Sequence, residues 1–159
     1  MNVHRDPRLI GLAVVAALAA AIPAAAIADS IGPHSSFYST VSPTTKHAVL
    51  NVVDIDVHRT TGATLVNVGN ECLGTFTFQV PGQPSFTGSK NATITPRLRH
   101  GKLSFRGRAK LIAGQGVAGH VQMTFSATVT ARLATGTATF PGTKCGPIRF
   151  VAPLRERTK

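Results

Sequence analysis

The amino-acid sequence predicts an all-β fold, either an antiparallel sandwich or an up-and-down barrel of about 8–9 strands. Residues 102–111 and 120–133 alternate strictly between apolar and polar side chains. Because successive side chains on a strand point to opposite faces, each stretch has one apolar face and one solvated face. Turn-forming residues recur about every 8 to 12 positions, and no stretch after residue 28 holds a helical period. The long 120–133 stretch slightly favours a curled sheet or barrel.

The dipeptide His100-Gly101 predicts a tight hairpin turn, since glycine supplies the positive φ that such turns need. With a two-residue turn at this position, each apolar residue of one strand faces an apolar residue or glycine of the other, and each polar residue faces a polar one. The facing pairs are Arg99 with Lys102, Leu98 with Leu103, Arg97 with Ser104, Pro96 with Phe105, Ile94 with Gly107 and Thr93 with Arg108. A slip of one residue would destroy this match. Pro96 has no N–H to donate, so the strand 92–99 is expected to be an edge strand or to be bulged there.

Shorter alternating segments predict the remaining strands, at 46–58, 64–68, 73–80, 85–88, 137–140 and 147–152. In the 73–80 segment, Phe76, Phe78 and Val80 are expected to point into the core. In the 46–58 segment the phase of the apolar residues changes near Val52 and Val53, which predicts a bulge there.

The N-terminal residues 1–28 have the features of a signal peptide. Arg5 and Arg8 precede an apolar, alanine-rich stretch at 9–22, Pro23 interrupts it, and Ala26-Ile27-Ala28 is a small-x-small cleavage site. Cleavage predicts a secreted or extracytoplasmic protein with no remaining transmembrane segment. The alternative is an uncleaved anchor, because 9–28 is about long enough to span a bilayer.

The rest of the chain has the length of a single domain. Residues 29–45, rich in Ser, Thr and Pro, are expected to form a flexible lead or a loosely packed first strand around 37–41. The all-β domain is expected over 46–154, and residues 155–159 are expected to form a frayed, charged tail.

Two cysteines remain after the predicted cleavage, Cys72 and Cys145. An even number of cysteines in an exported chain predicts a disulfide. The alternative is two separate buried thiols. A zinc site is not expected, because zinc needs four ligands and no histidine lies near either cysteine in the sequence.

The chain is strongly basic, with 17 Lys and Arg against 6 Asp and Glu. The predicted hairpin places six cations together on its outer, solvated face, the candidate anion-binding residues Arg97, Arg99, Lys102, Arg106, Arg108 and Lys110. Like charges facing each other destabilise a sheet, so an anionic polymer or an acidic surface is the expected partner. The competing interpretation is that the charges prevent edge-to-edge aggregation. Nucleic acid is disfavoured, since the face lacks aromatic residues for base stacking and export removes most nucleic-acid roles.

Three residues on one strand, Asp54, Asp56 and His58, could present ligands to a metal together with His47 or Glu71. Neighbouring side chains on one face stand about 7 Å apart, however, so a solvated polar face is favoured and neither metal nor cofactor is predicted.

The sequence has no Gly-x-Ser-x-Gly motif and few carboxylates, so a non-enzymatic binding protein is expected. The alternatives are a structural envelope protein or small-ligand carrier with an apolar barrel interior, and a hydrolase or isomerase with an unrecognised site. The oligomeric state is left open.

The segment 135–154, TGTATFPGTKCGPIRFVAPL, resembles the closing segment of short secreted all-β proteins of high-GC actinobacteria. In those proteins a Gly-x-hydrophobic strand, a Cys-Gly turn and a final x-F-x-A strand recur together with an earlier cysteine. The resemblance covers about an eighth of the chain. It implies an exported protein with an all-β fold and no particular chemistry.

Overall fold

The computed structural model describes residues 32–43, 50–79, 81–82 and 84–159. Along these residues the strands are β1 (Ser35–Pro43), β2 (Leu50–His58), β3 (Thr64–Gly69), β4 (Thr75–Phe78), β5 (Phe86–Ser89), β6 (Asn91–Ile94), β7 (Lys102–Ala113), β8 (Gly116–Val129), β9 (Leu133–Thr139) and β10 (Ile148–Arg157). A 3-10 turn, Glu71–Leu73, follows β3. The predicted all-β class is therefore confirmed.

Eight of these strands close into an antiparallel barrel in the order β1-β10-β9-β8-β7-β6-β3-β2, with β2 pairing back to β1. Strands adjacent in the sequence are neighbours in the barrel, apart from one insertion between β3 and β6. There β4 and β5 form a separate two-stranded sheet. Of the two predicted architectures, the chain thus adopts the up-and-down barrel.

The apolar faces of the strands fill the barrel interior. The largest fully buried side chains are Phe125, Phe140, Ile55, Leu103, Met123, Val53, Val66 and Val68. The rings of Phe125 and Phe150 stack with their centroids 5.7 Å apart. An eight-stranded barrel is just wide enough for side chains to fill it. The polar chemistry of this protein therefore belongs to its outer surface and its ends.

The disulfide between Cys72 and Cys145 is confirmed, with the two Cα atoms 5.6 Å apart. It joins the 3-10 turn after β3 to the loop between β9 and β10, so it crosses one end of the barrel. The loop it closes spans 73 residues, for which the chain-entropy model gives about 4 kcal/mol of stabilisation.

The barrel includes residues at both ends of the described chain that the sequence pattern placed outside the all-β domain. Residues 35–43, expected either in a flexible lead or as a loosely packed strand around 37–41, form the strand β1, which pairs with β2 along its whole length. Tyr38 holds this strand in the barrel, because its ring is buried and its hydroxyl donates to the carbonyl of Thr130 at 2.7 Å. At the other terminus β10 continues to Arg157, beyond the predicted strand end at 152 and into the expected frayed tail, since Ser36 of β1 pairs with Arg157.

The predicted hairpin turn is confirmed, but the register beyond it differs. His100 and Gly101 both have positive φ, and Arg99 and Lys102 exchange backbone hydrogen bonds of 3.0 and 2.9 Å. Farther from the turn, Thr93 faces Lys110 instead of Arg108.

The register shifts because the chain leaves β7 around Pro96. β6 ends at Ile94, and the N–H of Leu98 donates instead to the carbonyl of Gly62 in the β2–β3 turn. The expected edge strand is also wrong, because β6 lies between β3 and β7. Within the described residues β6 pairs with β7 only from Asn91 to Thr93, so the β6-facing side of β7 has no ladder partner over 103–109.

Two other predicted strand boundaries are wrong. The stretch 120–133 is not one strand: β8 ends at Val129, and Thr130 makes the turn by accepting from the N–H of Leu133 through its hydroxyl at 3.1 Å. The 73–80 segment does not enter the barrel, since its residues 75–78 form β4 of the separate sheet. Phe76 is half-buried there, and Val80 lies outside the described residues.

The bulge expected near Val52 and Val53 is absent from the described strand β2. Its pairing with β1 and with β3 runs without a register shift. Val52 lies on the outer side of the barrel wall while Val53 is buried.

The predicted signal peptide, 1–28, lies outside the described residues, and no helix within the described residues is long and apolar enough to cross a membrane.

Candidate anion-binding surface

The outer face of β7 carries a row of four cations, Lys102, Arg106, Arg108 and Lys110, here called the basic strip. All four side chains are exposed. The alternation of the strand fixes their direction, because the intervening Leu103 and Ala109 are buried in the barrel. Four of the six cations predicted to bind an anion therefore share one face.

Arg99 and Arg97, the other two predicted residues, lie off the strand. Arg99 continues the basic strip, since it pairs with Lys102 across the hairpin turn. Arg97 is directed elsewhere: its Nε donates to the carbonyl of Thr61 in the β2–β3 turn at 3.3 Å. Arg97 thus belongs with the residues at that end of the barrel.

That end, here called the turn end, is formed by the β2–β3, β6–β7 and β8–β9 turns and the end of β10. Backbone hydrogen bonds connect these segments, including Val129 N–H to the Gly101 carbonyl at 2.7 Å and Leu154 N–H to the Arg132 carbonyl at 2.8 Å. The connected segments bring together further exposed cations that the sequence pattern did not single out: Arg59, Arg132, Arg155 and Arg157. They are far apart in sequence, so only barrel closure reveals the cluster.

The guanidinium groups at the turn end bond to backbone carbonyls. Arg59 donates to the Thr158 carbonyl, Arg155 to the Ser39 carbonyl at 3.2 Å, and Arg157 to the Ala131 carbonyl at 2.9 Å. Between described residues no Lys or Arg forms an ion pair with a carboxylate. The positive charge of this surface is therefore not neutralised within the described chain, which favours anionic partners.

The outer face of β8 and β9, beside the basic strip, is covered with hydroxyl groups. Here called the hydroxyl face, it consists of three directly opposed pairs: Thr124 with Thr139, Ser126 with Thr137, and Thr128 with Thr135. A groove of about 300 Å³ lies over part of this face. Lys102 and Ser104 of β7 line the same groove, so it opens directly onto the basic strip.

The predicted metal candidates lie on β2, and the structure does not bring them together as a site. Asp54 accepts a 2.6 Å hydrogen bond from the hydroxyl of Ser39. The imidazole Nδ1 of His58 lies 3.1 Å from the hydroxyls of Thr60 and Thr61 in the adjoining turn. Among the described residues no group of three His, Cys, Asp or Glu side chains could hold a metal ion, and His47 lies outside them.

The two β2 carboxyls are nevertheless electrostatically unusual. Burial raises the pKa of Asp54, with the Ser39 hydrogen bond opposing the shift. Burial also raises the pKa of Asp56, opposed by Ser35 and by the charge of His58. One carboxylate oxygen of Asp56, Oδ1, is buried without a hydrogen-bond partner. These groups lie on the other side of the barrel from the hydroxyl face.

The chain matches no protein-family model, no curated protein and no solved structure. The surface just described supplies unneutralised guanidinium and ammonium groups next to exposed hydroxyls. This combination suits the binding of an anion by charge and hydrogen bonding.

Proposed function

We propose that this protein is a non-enzymatic, extracytoplasmic β-barrel domain that binds an anionic polymer or acidic surface of the cell envelope. The contact surface is the basic strip of β7 together with Arg99 and the cations of the turn end. The predicted signal peptide and the disulfide support the location, because disulfides persist in oxidising compartments. The resemblance of the 135–154 segment to secreted all-β proteins also supports export.

The observation that carries the proposal is the exposed row from Lys102 to Lys110 without a carboxylate partner. At about 3.4 Å per residue this row is roughly 27 Å long. A small anion could contact only one or two of its charges, whereas an extended polyanion can contact all four. The row therefore favours a polymer or a charged surface over a small ionic ligand.

The competing interpretation is that Arg106 and Arg108 protect the unpaired side of β7 from pairing with another copy. Charged side chains are a common device for blocking such edges. The two interpretations predict different behaviour when the charges are removed. Under the binding proposal polymer affinity falls, whereas under the protective one the protein dimerises or aggregates and polymer affinity is unchanged.

The test compares two charge-matched double variants, Arg106→Gln/Arg108→Gln on the strip and Lys90→Gln/Lys144→Gln away from it. Binding to polygalacturonate is measured by calorimetry at low and at high salt, with the oligomeric state followed by light scattering. We expect the wild type to bind at low salt and to weaken steeply as salt is added, since exposed charges are screened. Each lost contact is worth about 0.7 kcal/mol, so the strip variant should lose about tenfold in affinity.

The control variant should lose less than about twofold, although its net charge is the same. Equal losses in the two variants would show that overall charge, and not the strip, attracts the polymer. Absence of wild-type binding at low salt would overturn the proposal. New dimers in the strip variant with unchanged polymer affinity would establish the protective interpretation instead.

A further inference from the structure

We infer that the hydroxyl face makes the proposed binding selective for acidic polysaccharides, whose repeating units carry hydroxyl groups as well as charge. This inference rests on the proposed function and names its partner class. Its physical basis is the hydroxyl groups of β8 and β9, their lack of hydrogen-bond partners among the described residues, and their position between cations.

The hydroxyls of this face make no hydrogen bonds to the rest of the described protein. This holds for Ser104 on β7 and for the three opposed pairs on β8 and β9: Thr124 with Thr139, Ser126 with Thr137, and Thr128 with Thr135. Each hydroxyl offers one donor and two acceptor sites. Elsewhere in the barrel comparable groups are engaged, as when Thr93 donates to Asn67 at 2.7 Å. The hydroxyl face is thus available to form hydrogen bonds with a partner.

Cations border this face on both sides. On β7, Arg106 lies directly opposite Thr124, and Lys102 lies opposite Thr128. On β10, the exposed Arg149 lies opposite Thr137. A polymer chain lying over β8 and β9 would therefore have two cations at its β7 margin, one cation, Arg149, at its β10 margin, and hydroxyls beneath it.

The size and lining of the groove restrict the kinds of partner that it can bind. Its volume of about 300 Å³ is at the lower limit for small-molecule sites, so it has room for one small repeating unit. Its lining contains no aromatic side chain, being formed by Lys102, Leu103, Ser104, Ser126, Ala127, Thr128, Thr135 and Gly136. Flat stacking against a sugar ring or a base is therefore not available there. Recognition must come from hydrogen bonds to hydroxyls and from the Lys102 ammonium, which acidic sugars satisfy.

The test separates the hydroxyl contribution from the charge contribution by using two polycarboxylates. Polygalacturonate carries a carboxylate and free hydroxyls on each unit, whereas polyacrylate carries carboxylates alone. The groove variant is Ser126→Ala/Thr128→Val/Thr135→Val. The control is Thr75→Val/Thr77→Val/Thr87→Val, which removes exposed hydroxyls from the separate β4–β5 sheet, where Thr77 and Thr87 also form a cross-strand pair.

At equal carboxylate concentration and low salt, we expect the wild type to bind polygalacturonate about tenfold more tightly than polyacrylate. The groove variant should lose about tenfold on polygalacturonate and less than twofold on polyacrylate, since two or three modest hydrogen bonds are removed. The control variant should bind both polymers as the wild type does. Circular dichroism of each variant checks that the barrel is intact.

The outcomes distinguish this inference from the proposal beneath it. Equal wild-type affinity for the two polymers, or equal loss on both in the groove variant, would overturn hydroxyl selectivity and leave charge-based binding standing. Failure of both polymers to bind at low salt would overturn the proposed function and the inference together.

Discussion

Two opposite sides of the barrel use the same kinds of polar residue in different ways. In the closed strand order β2 and β3 lie across the barrel from β8 and β9. On the β2–β3 side the hydroxyls are engaged, with Ser39 donating to Asp54 at 2.6 Å and Thr93 to Asn67 at 2.7 Å. On the β8–β9 side the hydroxyls have no hydrogen-bond partner in the part of the chain that the structure describes. One side thus uses its hydroxyls in hydrogen bonds within the barrel, and the other leaves its hydroxyls without a partner among the described residues.

The difference comes from which acceptor lies opposite each hydroxyl. Directly opposed residues of neighbouring strands have Cβ atoms about 5 Å apart, close enough for a short side chain to bond to a carboxylate or amide. Ser39 lies opposite Asp54, and Asn67 lies opposite Thr93. On the hydroxyl face each hydroxyl faces another hydroxyl. The disulfide fixes the two sides relative to each other, because Cys72 follows β3 and Cys145 follows β9.

The largest expected effect is the loss of stability on substituting Gly136, where the β8–β9 side has no room for a larger side chain. Gly136 pairs with Ala127 on one side and Phe150 on the other. A Cβ added at Gly136 would meet the carbonyl oxygen of Ser126, with the Phe150 ring 2.7 Å and the Ala127 Cα 2.9 Å away. Backbone atoms cannot move aside easily, so Gly136→Ala should cost about 3 kcal/mol of unfolding free energy.

Urea unfolding measures this change, and Gly146→Ala is the matched control. A Cβ at Gly146 has nothing within 4 Å, so that variant should stay within about 0.5 kcal/mol of the wild type. A Gly136→Ala protein as stable as the control would mean that β9 can move away from β8. The close approach of β9 to β8 at Gly136 would then not be needed for stability.

An intermediate effect is expected from deleting one hydroxyl on each side. Ser39→Ala removes the donor to the half-buried Asp54 carboxylate and should cost about 1.5 kcal/mol. Ser126→Ala removes an exposed hydroxyl that bonds to no other described residue and should change stability by less than about 0.5 kcal/mol. Thermal and urea unfolding of the two variants test the comparison directly. Equal costs would show that the hydroxyls of the two sides are not used differently.

The hydroxyl face could be predicted from the sequence only in part. The strict alternation in 102–111 and 120–129 correctly separates the inner from the outer side chains of β7 and β8. It does not identify Thr135 and Thr137 as their neighbours, because the turn at 130–132 contains neither glycine nor proline. Thr130 makes that turn through its own hydroxyl, a local interaction that periodicity does not reveal.

The closure of the barrel is the other feature that could not be predicted from the sequence. The cations of the turn end come from four separated segments, and no local spacing relates Arg59 to Arg157. The 73–80 segment alternates like a barrel strand, yet it pairs only with β5, since both lie in the insertion between β3 and β6. Period-two patterning specifies which face of a strand is apolar but not which strand it will join.

The smallest expected effect is the pH dependence of the β2 side. Burial raises the pKa of Asp54 and of Asp56 above the ordinary value of 3.8. Between the unfolded and the folded pKa values the folded state therefore binds more protons, and the free energy of unfolding falls as pH rises. These carboxyls contribute stability that is fully present below about pH 3.8 and is lost as pH rises through the raised values.

Asp54→Asn removes this titration while its amide oxygen can still accept from Ser39. Relative to the wild type, the variant should gain stability as pH rises from about 3.5 to 7, reaching an advantage of up to about 1 kcal/mol. Urea unfolding in half-unit pH steps gives the difference curve. Glu71→Gln removes the same charge from an exposed side chain and controls for net charge. A difference curve that falls with pH would show that Asp54 is better stabilised as a carboxylate in the folded barrel than in the unfolded chain, contrary to its burial.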